Sequence, residues 1–189
     1  MRAAGEGERV PETGGLGSTQ EAELTVARER FEALSDRDGL ERLGLAYWTH
    51  LARVTLGLIR VYDAPTGPTV ALLARPLALL RFAAPAFVAE PGRGAVTWQI
   101  TGGLLVARRG RGHGFLRIAV ASAHGPHAVA VRLRVRLEVG NYYPWLRGRG
   151  RFARLGAWLY ARTQLRIHVA VCNAFLRSLR RRALPGAPV

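Results

Sequence analysis

The residues best placed to do chemistry are a histidine and a cysteine near the carboxyl end of the chain. His168 and Cys172 are four positions apart in a segment with helical apolar spacing, so both lie on one helix face. Facing a cavity, the pair could hold a metal ion or haem, or the thiol could be activated. A metal site needs a further ligand, and acids are scarce after residue 41: Asp63, Glu90 and Glu138. Core packing is therefore favoured, and we predict no metal, no cofactor and no assigned catalytic residue.

A glycine-rich loop is the second candidate. Residues 110–114 alternate glycine with Arg111 and His113, directly after Arg109. Backbone amides and guanidinium groups in such a loop could cradle a phosphate. The loop lies between two predicted strands, however, whereas nucleotide-binding glycine fingerprints lie between a strand and a helix. The pattern favours a hairpin turn, with a weak anion site as the alternative.

Charge is the outlying property of the composition. There are 28 basic residues, all of them arginine, against 13 acids, for a net charge of +15. A GC-rich genome could account for the missing lysine, because arginine codons are GC-rich, but it leaves the net charge to be explained. The first 41 residues carry ten acids and five arginines, whereas the remainder carries three acids and 23 arginines. Either the acidic arm folds back and screens the basic body, or the body presents a basic face to an anionic partner.

The final amphipathic segment carries a stripe of arginines that includes Arg162 and Arg166. A solvated helix face is the favoured interpretation. The stripe could also bind nucleic-acid phosphates or an anionic membrane surface, and both partners stay open. Together with the glycine-rich loop it defines a weak set of anion-binding candidates: Arg109, Arg111, His113, Arg162 and Arg166.

The sequence also indicates the cellular compartment in which the protein is expected. Cys172 is the one cysteine, which excludes a disulfide framework. The first 20 residues are acidic and lack a long apolar run, so no Sec-type signal peptide is indicated. Arginine and proline interrupt the apolar stretches, which leaves none long enough for a spanning helix. We therefore expect a soluble, cytoplasmic protein.

One domain with two short tails is predicted. Residues 1–17 are rich in glycine and glutamate without a hydrophobic period, which is typical of disorder. Residues 18–184 form the domain, and residues 185–189 form a second disordered tail.

Helical signals dominate the first part of the domain. Residues 18–21 match a capping box, and apolar residues at helical spacing then predict a helix over about 19–35. Residues 40–62 are ambiguous between helix and strand. A short helix near 38–45 and a long strand near 47–62 are favoured, because β-branched residues accumulate in the second part.

Strand signals follow. Turn residues at 63–68 precede a returning strand at 69–74 and a short or edge strand within 77–90. Further strands are predicted at 95–100, 104–108 and 115–121. The clearest alternation places apolar residues at the odd positions from Val131 to Val139, with charged residues between them. Short loops indicate an antiparallel meander. A long amphipathic helix is then predicted over 151–182.

The hairpin series from 96 to 139, the aromatic loop from 142 to 145 and the amphipathic segment at 151–182 resemble the helix-grip, or START-like (SRPBCC), superfamily of lipid carriers and polyketide-cyclase-like proteins. The resemblance covers about two-thirds of the chain and is one of architecture, without a diagnostic motif. It implies an α+β fold in which a curved antiparallel sheet of about six to seven strands wraps a long C-terminal amphipathic helix, with an N-terminal helix. That family commonly places two helices after its first strand, whereas here a helix is predicted to come first.

The resemblance implies an apolar cavity between sheet and helix that binds a hydrophobic or amphipathic small molecule or lipid. The residues expected to line it are Trp98, Ile100, Leu133, Val135, Leu165, His168, Val169 and Cys172. Two alternatives stay open. One is an arginine-rich interaction protein that binds nucleic acid or an anionic membrane. The other is a cyclase- or dehydratase-type enzyme with His168 as general base.

Overall fold

The computed structural model describes residues 16–106, 111–122, 130–142 and 171–179. The eight strands are β1 (Leu16–Ala27), β2 (Ile59–Tyr62), β3 (Thr69–Leu72), β4 (Ala78–Phe82), β5 (Ala86–Glu90), β6 (Arg93–Gly102), β7 (Phe115–Ser122) and β8 (Ala130–Tyr142). The helices are α1 (Arg28–Ser35), α2 (Arg37–Val54), a 3₁₀ turn (Arg75–Leu77) and residues 171–179, here called α3.

The strands form one curled antiparallel sheet in the order β1-β8-β7-β6-β4-β3-β2. β4 and β5 pair with successive parts of the same edge of β6, so the eight strands occupy seven positions. The α+β class and the curved antiparallel sheet are therefore confirmed. The arrangement is consistent with a helix-grip architecture.

The first element is a strand, so the predicted helix over 19–35 is wrong in its first half. β1 pairs with β8 from Leu16 to Ala27, and only Arg28–Ser35 is helical. Residues 18–21, expected to cap a helix, lie inside this strand. Pairing along a whole neighbouring strand outweighs the local helical spacing. The order of one strand followed by two helices is the order that the helix-grip resemblance implies.

The second helix is longer than predicted. α2 runs to Val54, and β2 is confined to the last four of the residues assigned to a long strand. The helix is capped by Asp36, whose carboxylate accepts a hydrogen bond from the Gly39 amide at 2.6 Å. The hydroxyls of Thr49 and Thr55 donate to carbonyls one turn back, at 2.9 and 2.8 Å. These threonines therefore sit in or next to the helix despite their strand propensity.

Most of the later strands agree with the prediction. In β8 the odd residues from Val131 to Leu137 are buried and the even residues from 132 to 136 are exposed. The predicted strand at 104–108 is wrong at Leu104 and Leu105, which form a turn, whereas Val106 makes an isolated β-bridge. The predicted loop after 140 begins later, since β8 continues to Tyr142.

The two ends of the chain are described only in part. β1 begins at Leu16, inside the segment expected to be a disordered tail, and residues 1–15 lie outside the described residues. Of the long helix predicted over 151–182, the described residues 171–179 are helical. The tail predicted at 185–189 also lies outside the described residues.

Candidate functional site

The concave face of the sheet, on which the helices pack, is an apolar floor made of residues paired across four strands. Its three central rows are Ser18, Val139, Leu116 and Trp98; Gln20, Leu137, Ile118 and Val96; and Ala22, Val135, Val120 and Gly94. Alternation along each strand turns these side chains to one face and the charged ones to the other. No charged residue occupies these rows, and Gln20 supplies the one side-chain amide.

One end of this floor is closed by aromatic rings. Trp48 packs against Trp98 and Phe82 with ring centroids 5.2 and 5.3 Å apart. Tyr47 meets Phe175 of α3 edge to face at 5.5 Å. Edge-to-face pairs of this kind add stability beyond their buried area. The rings therefore pack α2, α3 and the sheet together in one aromatic wall.

Two glycines let the helices approach the sheet. A Cβ at Gly44 of α2 would lie 2.8 Å from the indole ring of Trp98. A Cβ at Gly94 of β6 would lie 2.6 Å from the Ser35 carbonyl oxygen. It would also be in tight contact with the methyl groups of Leu40. Neither position has room for a larger residue without displacement of a neighbour. These contacts set the height of the helices above the floor.

The thiol of Cys172 and the hydroxyl of Tyr47 are hydrogen-bonded to each other inside this wall. Burial raises the pKa of Cys172 from 9.0 to about 12. Burial also raises the pKa of Tyr47 well above 10.0, and the neighbouring thiol adds to that shift. Both groups are therefore neutral near pH 7. A neutral, buried thiol is a poor nucleophile and a poor metal ligand.

The structure places five of the eight predicted pocket residues in one core. Trp98, Ile100, Leu133, Val135 and Cys172 are all buried, with exposures of 4% or less. The other three, Leu165, His168 and Val169, lie outside the described residues, and so does any contact between His168 and Cys172.

Several residues of the floor and wall were missed by sequence reasoning. Gln20 was assigned to a helix cap, and Tyr47 and Trp48 were assigned to a strand. The helical spacing of Leu40, Leu43 and Tyr47 was the signal for the α2 residues, and it competed with the strand-favouring residues that follow.

The glycine-rich loop is a hairpin turn where it is described. Residues 111–113 form a turn, Gly112 has a φ of 75°, and its carbonyl accepts a hydrogen bond from Gln99 at 2.6 Å. Arg111 and His113 are exposed there. Arg109, Arg162 and Arg166 lie outside the described residues, so the set of anion-binding candidates stays a prediction.

Part of the acidic arm lies on the convex face of the sheet. Glu21 and Glu23 of β1 pair with Arg136 and Arg134 of β8, at 2.5 and 3.0 Å. These acids therefore screen arginines of the sheet. This is the first of the two arrangements that the charge distribution left open.

A separate open cleft lies between α1 and the turn from β5 to β6. Its volume is about 590 Å³, and its charged lining includes Arg28, Glu32, Asp36 and Glu90. None of the eight predicted pocket residues lines it. Three carboxylates in the wall make it a poor site for the apolar ligand expected here.

Two further features concern the described residues as a whole. No helix in the described parts of the chain is long and apolar enough to cross a membrane. Within residues 16–106, 111–122, 130–142 and 171–179, no cluster of three or more histidine, cysteine, aspartate or glutamate side chains could hold a metal ion.

Comparisons with known proteins give only weak similarity. No protein-family model and no curated protein matches the chain. A truncated norcoclaurine synthase from Thalictrum flavum is 12% identical over 90% of this chain and 98% of that chain, with a TM-score of 0.35. The same enzyme in complex with dopamine and hydroxybenzaldehyde gives a TM-score of 0.33 at 12% identity, over 95% of each chain. An uncharacterised protein from Rhizobium leguminosarum gives 0.24 at 13% identity, over 86% of this chain and 99% of that chain.

Proposed function

We propose that this protein binds a hydrophobic or amphipathic small molecule on the concave face of its sheet, beneath the C-terminal helix. The observation that supports this proposal most directly is the floor. Its three rows across four strands consist mainly of apolar side chains and contain no charged residue. Pockets for small ligands are mostly apolar with a few placed polar groups. The aromatic wall supports this proposal, because it packs α2 and α3 against one end of the floor and would bound a ligand there.

Gln20 supports an amphipathic ligand over a purely apolar one. Its side-chain oxygen is buried and has no hydrogen-bond partner among the described residues. Leaving a buried polar atom unpaired costs about 1–3 kcal/mol. An amide both accepts and donates, so a ligand hydroxyl that does both satisfies either end of it. The bound molecule is therefore an apolar body with a hydroxyl near Gln20.

Binding is preferred to catalysis at this site. Tyr47 and Cys172 are held neutral by burial, and the three rows of the floor contain no carboxylate and no imidazole. General acid–base chemistry needs such a group within reach of the substrate. The cyclase-type alternative depends on His168, which lies outside the described residues, and no contact among the described residues favours it.

The test is competition by matched ligands. Purified protein is loaded with Nile red, and 1-decanol and decane compete for the dye. We expect the alcohol to compete about fivefold better, because one hydrogen bond contributes about 1 kcal/mol. In Gln20→Leu this preference disappears while dye binding stays. Gln99→Leu removes the half-buried glutamine that bonds the hairpin turn and leaves the preference intact.

Two outcomes would overturn the proposal. Folded wild-type protein that does not bind Nile red has no accessible apolar site. Equal competition by decanol and decane in the wild type would show that Gln20 does not bind the ligand hydroxyl.

A further inference from the structure

Exposed leucines gather at one end of the sheet, away from the concave floor. Two segments meet there: residues 54–58, which join α2 to β2, and residues 72–77, which join β3 to β4. The Leu73 amide donates to the Leu58 carbonyl at 2.8 Å. A third turn joins them, since the Leu104 amide donates to the Ala78 carbonyl at 2.9 Å. We call the exposed side chains of these turns the leucine rim: Leu56, Leu58, Leu72, Leu73, Leu77 and Leu104.

Two of these leucines adopt a backbone conformation that leucine normally avoids. Leu56 has a φ of 52° and Leu73 a φ of 61°, and they are the described non-glycine residues with positive φ. The left-handed region suits glycine and asparagine, and a bulky residue there is an outlier. Leu56 is 91% exposed and Leu73 is 51% exposed, so burial does not offset the strain. Strain kept without a packing gain is a reason to look for a function.

The charge around the leucine rim is of one sign. Residues 53–60 and 72–77 contain Arg53, Arg60 and Arg75 and no acid. The side chains of Arg53 and Arg60 are exposed, whereas the guanidinium of Arg75 lies 4.9 Å from the ring centre of Tyr62, which is the last residue of β2 and lies away from the leucine rim. The nearest acid along β2, Asp63, lies beyond the opposite end of that strand. Projecting leucines with two exposed flanking arginines match an interface of acyl chains and anionic headgroups.

We propose that the leucine rim docks the protein on an anionic lipid bilayer. The leucines enter the boundary between headgroups and acyl chains, and the arginines contact the anionic headgroups. A bilayer is preferred to a second copy of the chain for an electrostatic reason. Two copies meeting at this end would bring like charges together, whereas an anionic surface neutralises them. This site is separate from the concave floor and does not depend on the proposed ligand.

The test is sedimentation of the full chain with two kinds of vesicle: phosphatidylcholine alone, and phosphatidylcholine mixed with phosphatidylglycerol. Wild-type protein is expected to bind the mixed vesicles and to weaken as salt rises. The double variant Leu56→Asn with Leu73→Asn should bind at least about tenfold more weakly, because two inserted apolar side chains are lost. The same variant should melt no lower than wild type, since asparagine accepts a positive φ more readily.

Two control variants separate the contributions. Val88→Thr removes an apolar side chain that is 45% exposed on β5, outside the leucine rim, and should leave binding unchanged. Arg53→Gln with Arg60→Gln should reduce binding to the mixed vesicles by about fivefold per charge.

Three results would overturn the proposal. The first is equal binding by the wild type and the double leucine variant, which would place the contact on other arginines. The second is equal loss with Val88→Thr. The third is a concentration-dependent dimer that the double leucine variant abolishes, which would make a second copy the occupant.

Discussion

The Tyr47 hydroxyl and the Cys172 thiol share a hydrogen bond where α2 meets α3, inside the hydrophobic core. Both groups are weak acids that burial keeps protonated. The pair therefore ties the C-terminal helix to the aromatic wall through a neutral contact. Because burial shifts the pKa values of this pair, the pH dependence of the free energy of unfolding reports on the packing of α3.

Stability should fall in alkaline solution because of Cys172. Its pKa rises from 9.0 to about 12 on folding, so the folded state holds the proton more tightly. The contribution is complete below pH 9 and is lost as pH rises towards 12, at up to about 1.4 kcal/mol per pH unit. The free energy of unfolding from urea titrations between pH 7 and 11 measures this slope.

The Cys172→Ala variant isolates the thiol in that experiment. It should be less stable than wild type near pH 7 and should lose stability less steeply above pH 9. The remaining slope belongs to Tyr47 and the other alkaline groups. An unchanged slope in the variant would mean that Cys172 ionises equally in the folded and unfolded chain.

Replacement of Gly44 by alanine should destabilise the fold although alanine is the better helix former. The new methyl group would lie 2.8 Å from the Trp98 indole, and overpacking of this kind costs about 1–3 kcal/mol. The gain in helix propensity is about 1 kcal/mol. Urea denaturation should therefore give a net loss. Thr49→Ala, at an exposed position of the same helix, is the matched control and should not destabilise. A more stable Gly44→Ala would contradict the close contact of α2 with Trp98.

The convex ion pairs should contribute little. Glu21 and Arg136 are about one-third and one-half exposed, and exposed pairs are worth about 0.2–1 kcal/mol. A double-mutant cycle with Glu21→Gln and Arg136→Gln should give a coupling energy in that range, falling with added salt. The same cycle with Arg132, four residues along β8, should give no coupling. Equal coupling in both cycles would indicate a general charge effect in place of a specific pair.

Much of the sheet could be predicted because its signal is local. The alternation from Val131 to Leu137 reports directly which side chains face the core, and the structure confirms it. The same holds for the turn at 63–68 between β2 and β3. In both places the residue types and their spacing favour one conformation only.

The first two elements were misassigned because their sequences fit more than one conformation. Residues 18–21 match a capping box and helical apolar spacing begins at Leu24, yet Ala22, Leu24 and Val26 also alternate on one face of a strand. Pairing with β8 decides between the two. Residues 47–54 carry strand-favouring types, and the packing of Tyr47 and Trp48 against α3 and the sheet makes them helical.

The sequence by itself determined the α+β class, the antiparallel meander and the segregation of charge, because periodicity, turn residues and net charge are properties of short stretches of chain. Only the tertiary structure decided that β1 precedes α1, that Tyr47 meets Cys172, and that Leu56 and Leu73 stand exposed beside each other's turns. Each of these depends on contacts between residues far apart in the chain. The energies of such contacts are set by burial and by the room that glycines such as Gly44 leave.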